Sequence, residues 1–239
     1  MDNILVVHGP SYAYAIEGLG KITTSINKFF GAPETFKLVL FTGGEDVDPS
    51  LYGETSPKGM CGFNTMRDYR EMEIFRLATE NGVPMAGICR GIQFLNVMAG
   101  GRMFHHVTNH AGTIHTMKTV IGEVIQINSL HHQMVRPPED AHIIGWAEDN
   151  LSSIYVADKD IPIDYDGPEV EAVIFPNTLS FGVQYHPEMI PATERAHGFF
   201  WEMVAMVIDR GWEGFLEHYT IGGEIDDTSV AQRDGYTSG

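Results

Sequence analysis

Pro84-Met85-Ala86-Gly87-Ile88-Cys89-Arg90-Gly91-Ile92-Gln93 decides the fold. Pro84 to Ile88 is a short apolar run of the kind buried on both faces of a parallel sheet. Gly91 to Ala99 reads as a helix ended by Gly100-Gly101. The G-x-C-x-G pattern between them is the setting of a nucleophile elbow with cysteine in place of serine. Flanking glycines let the backbone turn sharply without Cβ clashes and leave the thiol exposed at the carboxyl end of the sheet. Helix amides from Gly91 onward favour a thiolate. A lone cysteine is usually a small buried hydrophobe, and the elbow reverses that expectation for Cys89. Cys61 sits in a Gly/Asn-rich loop without such a context and reads as incidental.

Working outward, Ile4 to Val7 and Leu38 to Phe41 are further apolar runs. Between the second of these and Pro84 lies a helical stretch from about Arg67 to Asn81, with Tyr69, Met72, Phe75 and Ala78 at every third position and Asn81-Gly82 as its stop. Strand, helix, strand is the rhythm of an α/β fold with a mostly parallel sheet and flanking helices. The middle of the chain changes character: Lys118 to Asn128 alternates and Val170 to Phe175 is β-branched, which predicts a smaller mixed or antiparallel β section. Thr193 to Asp209 follows a helical period that ends at Gly211. Residues 1–220 are expected to form one catalytic domain. The tail 221–239, rich in Gly, Asp, Thr and Ser, is expected to be disordered or docked on a partner.

With 239 residues, 43% hydrophobic, the chain is long enough for a sizeable core. Fifteen Lys plus Arg against 32 Asp plus Glu give a net charge of −17, which repels phosphate backbones and anionic lipid and disfavours nucleic-acid or membrane-surface binding. The longest nearly apolar run, Phe199 to Ile208, is too short for a bilayer, which needs about 20 residues. The amino terminus lacks the pattern of a secretory signal, so a cytoplasmic location is expected. Two cysteines without a CxxC pair give neither a disulfide framework nor a thiolate zinc site.

A cysteine nucleophile needs a base and a group that orients it. Gly182-Val183-Gln184-Tyr185-His186-Pro187-Glu188 offers both. Pro187 pushes His186 into the extended region, where residues two apart share a side, so that Glu188 can hold the imidazole. Alone, a His-Pro-Glu string is more often a surface turn; beside the elbow it becomes base and orienter. Thr42-Gly43-Gly44-Glu45-Asp46 follows the Leu38–Phe41 run at the same sheet edge. A glycine pair there can aim the Gly44 amide at a developing negative charge, with the Arg90 amide as second donor. Without the other parts, an ordinary turn is equally expected.

Phe41 to Pro49 with Leu51-Tyr52-Gly53-Glu54, the Gly87–Gly91 elbow with Gln93 and Asn96, Asn128-Ser129-Leu130-His131-His132-Gln133, and Gly182 to Glu188 together resemble the class I glutamine amidotransferase-like superfamily, most closely its γ-glutamyl-γ-aminobutyrate hydrolase branch. The similarity spans roughly Ile4 to Val207. It implies a flavodoxin-like sheet and a Cys-His-Glu triad of Cys89, His186 and Glu188, which cleaves the γ-amide of glutamine or γ-glutamyl compounds. Oxyanion amides would come from Gly44 and Arg90, and substrate contacts from Gln93 and His132, with a hydrogen-bonding structural role for His132 equally open. The sequence departs from that pattern between Tyr12 and Phe36, which is compact and has no clear second strand, and in its acidic tail.

The expected activity is therefore a cysteine amidohydrolase acting on a γ-glutamyl amine through a thioester on Cys89, with no cofactor. The alternatives are a glutaminase subunit that passes ammonia to a separate synthetase chain, and a silent binding module that keeps the fold, against which intact Cys89, His186 and Glu188 argue. A γ-glutamyl substrate or glutamine is the expected ligand, and a homodimer is left open. His105, His106, His110 and His115 invite a metal reading, since His106 and His110 are four apart. The intervening residues give no helical period and no carboxylate or cysteine stands nearby in the sequence, so no metal is expected.

Overall fold

The computed structural model describes residues 3–9, 12 and 18–220; the tail expected over 221–239 lies outside them. The chain runs through β1 (Asn3–Val7), β2 (Lys21–Thr23), α1 (Ile26–Gly31), β3 (Phe36–Phe41), α2 (Thr65–Glu80), β4 (Met85–Ile88) and α3 (Arg90–Met98). There follow β5 (Arg102–Phe104), β6 (His106–Val107), β7 (Ala111–Thr119), β8 (Val124–Leu130), β9 (Met134–Arg136), β10 (His142–Ala147), β11 (Tyr155–Ala157) and β12 (Ile161–Ile163). The last elements are β13 (Val170–Phe175), β14 (Ser180–Val183) and α4 (Arg195–Thr220).

One large sheet has the order β2-β1-β3-β4-β14-β13-β10-β7-β8. From β2 to β14 every pairing is parallel, and from β14 to β8 every pairing is antiparallel. The antiparallel section expected from the middle of the chain extends the parallel sheet. Two small sheets, β12-β11-β6 and β5-β9, complete the β structure of the described residues.

The parallel strands are apolar throughout because both of their faces are covered. Ile4, Val6, Leu38, Leu40, Ala86, Ile88, Phe181 and Val183 point to one side, against Phe199, Phe200, Met203 and Val204 of α4. Leu5, Val7, Val39, Phe41 and Met85 point to the other, against Ile74 and Ala78 of α2 and Phe94 and Leu95 of α3. Full burial of such side chains contributes about 1.5–3 kcal/mol each before the entropy of ordering is counted.

Several elements differ from expectation for physical reasons. The segment between Tyr12 and Phe36 does hold a second strand, β2, too short for an apolar pattern, which pairs with β1. The alternation from Lys118 to Asn128 is a hairpin: Gly122, at φ +82, closes the turn and its N–H donates to the Thr119 carbonyl at 3.0 Å. Gly211 breaks the last helix at φ +71 and ψ 176 but does not end it; the second part buries Trp212, Phe215 and Tyr219 against the same core. In α2 the buried residues are Arg67, Asp68, Glu71, Ile74 and Ala78, whereas Tyr69 is exposed. Among the described residues no helix is long and apolar enough to cross a membrane.

Candidate active site

Cys89 stands where β4 passes into α3, at φ 53 and ψ −112, a conformation that side-chain-bearing residues rarely adopt. Its N–H donates to Val183 of β14 at 2.8 Å, which pins the turn to the neighbouring strand. Glycines make this turn sterically feasible: a Cβ on Gly91 would collide with the Phe41 carbonyl, and one on Gly87 with the Gly91-Ile92 backbone.

β14 is paired in parallel with β4, Val183 opposite Ile88, so the segment after β14 leaves the sheet beside Cys89. His186 lies on that segment. Its Nδ1 is 2.7 Å from Glu188 Oε1, and its imidazole interacts with the Cys89 thiol. Glu188 sits in a single 3₁₀ turn, Pro187–Met189, so the expected contact is reached through a turn and not through strand alternation. The same backbone is held from the side by Asn128, whose Nδ2 donates to the His186 carbonyl at 3.1 Å and whose Oδ1 accepts from the His186 N–H at 2.8 Å. Burial pushes the His186 imidazolium toward losing its proton, but hydrogen bonds and charge from Cys89 and Glu188 outweigh it and raise its pKa to about 10.

The Thr42-Gly43-Gly44 loop closes over this pair. A Cβ on Gly43 would come 3.1 Å from His186 Cε1, 3.8 Å from Cys89 Cβ and 2.7 Å from the Tyr12 hydroxyl. Tyr12 is held above the usual phenol range by burial and by the Glu188 and Cys89 charges. Arg67 fixes the loop from below: its Nη2 donates to the Thr42 and Gly43 carbonyls at 2.9 and 3.0 Å, and its Nε to Glu71 at 2.9 Å. Gly44, at φ +146, lies against the Arg67 guanidinium, which leaves no room for a Cβ. Both carbonyls are thereby committed to Arg67.

Arg90 buries its side chain in ion pairs with Asp68 and Glu71, so what it can offer a bound anion is its main-chain N–H. Arg67, Asp68 and Glu71 were not legible as site residues. Their signal was a charged i, i+1, i+4 set on one face of α2, which reads as a solvated face unless a buried arginine stands opposite it.

The predicted substrate contacts separate. Gln93 is buried in α3, and its amide donates to the Gln133 carbonyl at 3.3 Å. His132 Nε2 lies 3.1 Å from Asp46 Oδ1, two residues beyond Gly44, with its side chain 42% exposed. The Asp46 hydrogen bond outweighs burial and raises its pKa.

Three histidines of the 105–115 stretch, His105, His110 and His115, have carboxylates beside them after all, delivered from distant parts of the chain. His105 meets Asp160 at 2.9 Å and Glu54 at 3.0 Å, in a pocket that includes Cys61. His110 and His115 meet Glu169 and Glu171 at 3.0 Å each. Cys61 is not an incidental loop thiol: it is buried and accepts from Gln133 Nε2 at 3.1 Å.

This fold recurs in known proteins. The chain is 28% identical over 175 residues to a proposed glutamine amidotransferase of Mycobacterium tuberculosis, covering 65% of this chain and 51% of that protein, so it spans about half the length of that relative. It is 29% identical over 143 residues to the carbamoyl phosphate synthase small chain of Helicobacter pylori, covering 60% of this chain and 33% of that one. The crystal structure of a glutamine amidotransferase from Thermotoga maritima superposes with a TM-score of 0.53 at 14% identity, covering 91% of this chain and 97% of that chain. The Peptidase C26 family model matches residues 31–188, and the chain belongs to that family, within the class I glutamine amidotransferase-like superfamily.

Proposed function

We propose that the chain is a cysteine amidohydrolase that cleaves the γ-glutamyl amide bond of a γ-glutamyl amine, with residues 1–220 as its catalytic domain. The observation that carries this reading is the meeting of Cys89, on a strained turn at a helix start, with a His186 that Glu188 holds at 2.7 Å. Cys89 thiolate attacks the γ-carbonyl carbon, and the oxygen that becomes negative is held by the Gly44 and Arg90 amides. The His186 imidazolium donates its proton to the amine as the C–N bond breaks, leaving a γ-glutamyl thioester. Water then attacks the thioester, His186 accepts its proton, and the C–S bond breaks to release glutamate and restore the Cys89 thiolate. His132, hydrogen-bonded to Asp46, is suited to the substrate's carboxylate end, whereas Gln93, committed to Gln133, shapes the wall behind it. No step needs a cofactor.

A second reading keeps the chemistry and changes the fate of the amine. Similarity to a carbamoyl phosphate synthase small chain supports a glutaminase subunit that hands ammonia to a separate synthetase. Assay of the purified chain against glutamine and a panel of γ-glutamyl amines decides between them. The hydrolase reading expects at least one γ-glutamyl amine to be cleaved faster than glutamine, with loss in Cys89→Ala. Glutamine hydrolysis that appears only with an added synthetase would overturn it in favour of the subunit.

A further inference from the structure

A second polar cluster is buried in the antiparallel half of the sheet, and the proposed chemistry does not use it. It gathers His110, just before β7, His115 on β7, His131, just after β8, and Glu171 on β13. Glu171 and His110 are fully buried, and His131 and His115 nearly so. Three ring nitrogens converge on one carboxylate oxygen: His115 Nε2, His110 Nδ1 and His131 Nε2 stand 3.0, 3.4 and 3.6 Å from Glu171 Oε1.

The outer partners of these rings decide which nitrogens carry protons. His131 Nδ1 lies 2.8 Å from the Gln133 carbonyl, which can only accept, so that nitrogen bears the hydrogen and Nε2 of the neutral ring is a bare lone pair. His110 Nε2 lies 3.0 Å from Glu169 Oε2. Glu169 is kept ionised by the Leu151 and Ser152 N–H groups and the Tyr155 hydroxyl, each at 2.7 Å, so His110 donates through Nε2 and its Nδ1 is bare too. Two bare nitrogens therefore face an anionic oxygen, acceptor against acceptor, in a buried site. His131 Nε2, His115 Nδ1 and Glu171 Oε2 have no hydrogen-bond partner. A cation must relieve this arrangement: either a proton on His110, where the Glu169 and Glu171 carboxylates outweigh burial and raise the pKa to about 9, or a metal ion at the centre, which would also engage the unpartnered His131 nitrogen.

We propose that His110, His115, His131 and Glu171 bind a divalent transition metal of the zinc class. Metal–ligand bonds of about 2.0–2.2 Å in tetrahedral geometry place neighbouring donor atoms roughly 3.3–3.5 Å apart, close to the three separations found here. Imidazole plus carboxylate suits such an ion. The contacts of His110 to Glu169 and of His131 to a main-chain carbonyl are the outer-shell hydrogen bonds that fix metal-bound imidazoles. Four protein ligands in a buried site describe a structural centre, one that ties β7, β8 and β13 together across β10.

The cluster around Cys61 is different. There both nitrogens of His105 face carboxylates, Asp160 at 2.9 Å and Glu54 at 3.0 Å, and Asp160 is further bonded by the Ser56 hydroxyl and the Lys58 N–H. An imidazolium satisfies that site without a metal.

The test uses the full chain without a histidine tag. Metal content is measured after purification, then after chelation and titration with Zn²⁺ or Co²⁺, with thermal unfolding followed in both forms. The expected result is about one metal ion per chain, a fall in Tm on its removal, and a tetrahedral cobalt spectrum without a thiolate charge-transfer band. Glu171→Gln and His131→Gln should abolish stoichiometric binding, and Glu169→Gln should weaken it about 10–100-fold. If a variant fails to fold, the spectrum and stoichiometry of the unmutated chain still decide. No binding by the folded chain would overturn the site, leaving protonated histidines as its cation. A thiolate band lost in Cys61→Ala would also overturn it, by moving the metal to the other cluster.

Discussion

Asn128 and His186 are joined by a two-point amide contact, side chain to main chain, at 2.8 and 3.1 Å. Asn128 bonds the main chain of His186, not its imidazole, and so sets where the His186 backbone lies relative to Cys89. Asn128→Ala leaves a part-buried N–H and C=O unpaired, at a cost of about 1–3 kcal/mol. The expected outcome is a stable but slower enzyme, with kcat lowered about tenfold or more and KM little changed, since a small misplacement of a base weighs on turnover. Urea unfolding and steady-state kinetics on the same preparation check both halves; unchanged kcat would show that His186 is held adequately by Glu188 alone.

Arg67 makes an analogous prediction for the Thr42–Gly44 loop, the proposed oxyanion donor. Its fork bonds two successive carbonyls while its Nε holds Glu71. A lysine keeps the charge but cannot reproduce that planar geometry. Arg67→Lys should lower kcat by about 10²-fold, comparable with the loss of one oxyanion donor, while Cys89 stays alkylatable. Equal activity of the two proteins would mean that the loop holds its shape without the guanidinium.

The pH profile follows from His186. Its folded pKa, about 10, lies above the usual 6.5, so the protonated form is favoured by the native state. That contribution to stability is fully present below about pH 6.5 and is lost as pH rises toward 10. In the proposed reaction the same proton goes to the leaving amine, so the alkaline limb of kcat/KM should fall only toward pH 10. Glu188→Gln removes one of the groups that raise the pKa, so the limb should move to lower pH as turnover drops. An alkaline limb unmoved by Glu188→Gln would assign it to another group.

Gly91→Ala tests the elbow itself. The added methyl meets the Phe41 carbonyl, backbone against backbone, which a side-chain rotation cannot relieve. Overpacking of this kind costs about 1–3 kcal/mol, occasionally more. Chemical denaturation should show that loss, with an activity loss larger than for an alanine at Gly31, where nothing stands within 4 Å.

Much of this architecture could be read from residue order, and the failures have identifiable causes. Ile4 to Val7, Leu38 to Phe41 and Pro84 to Ile88 were legible because strands covered on both faces are apolar at every position. In α2, apolar residues at every third position drift around a 3.6-residue turn, so Tyr69 ends outside while Arg67, Asp68 and Glu71 face the buried Arg90. An ion network in the interior looks, in sequence, like surface. The β7–β8 hairpin was hidden because alternation continues through the turn at Gly122. Cys89, His186 and Glu188 could be singled out because each carries a local signature of Gly or Pro. Asn128 and the histidine–glutamate cluster could not be placed, since their partners come from strands far away in the chain.

The pairing of β4 with β14 also fixes when the site can exist during synthesis. Cys89 emerges early, but His186 reaches it only after β14 has docked in register beside β4. Until then the thiol lacks both its imidazole and the Val183 carbonyl that anchors its N–H. A nascent chain or a carboxyl-terminal truncation that ends before β14 therefore carries the proposed nucleophile in an unarmed form, and on that proposal completion of the sheet is the event that switches it on.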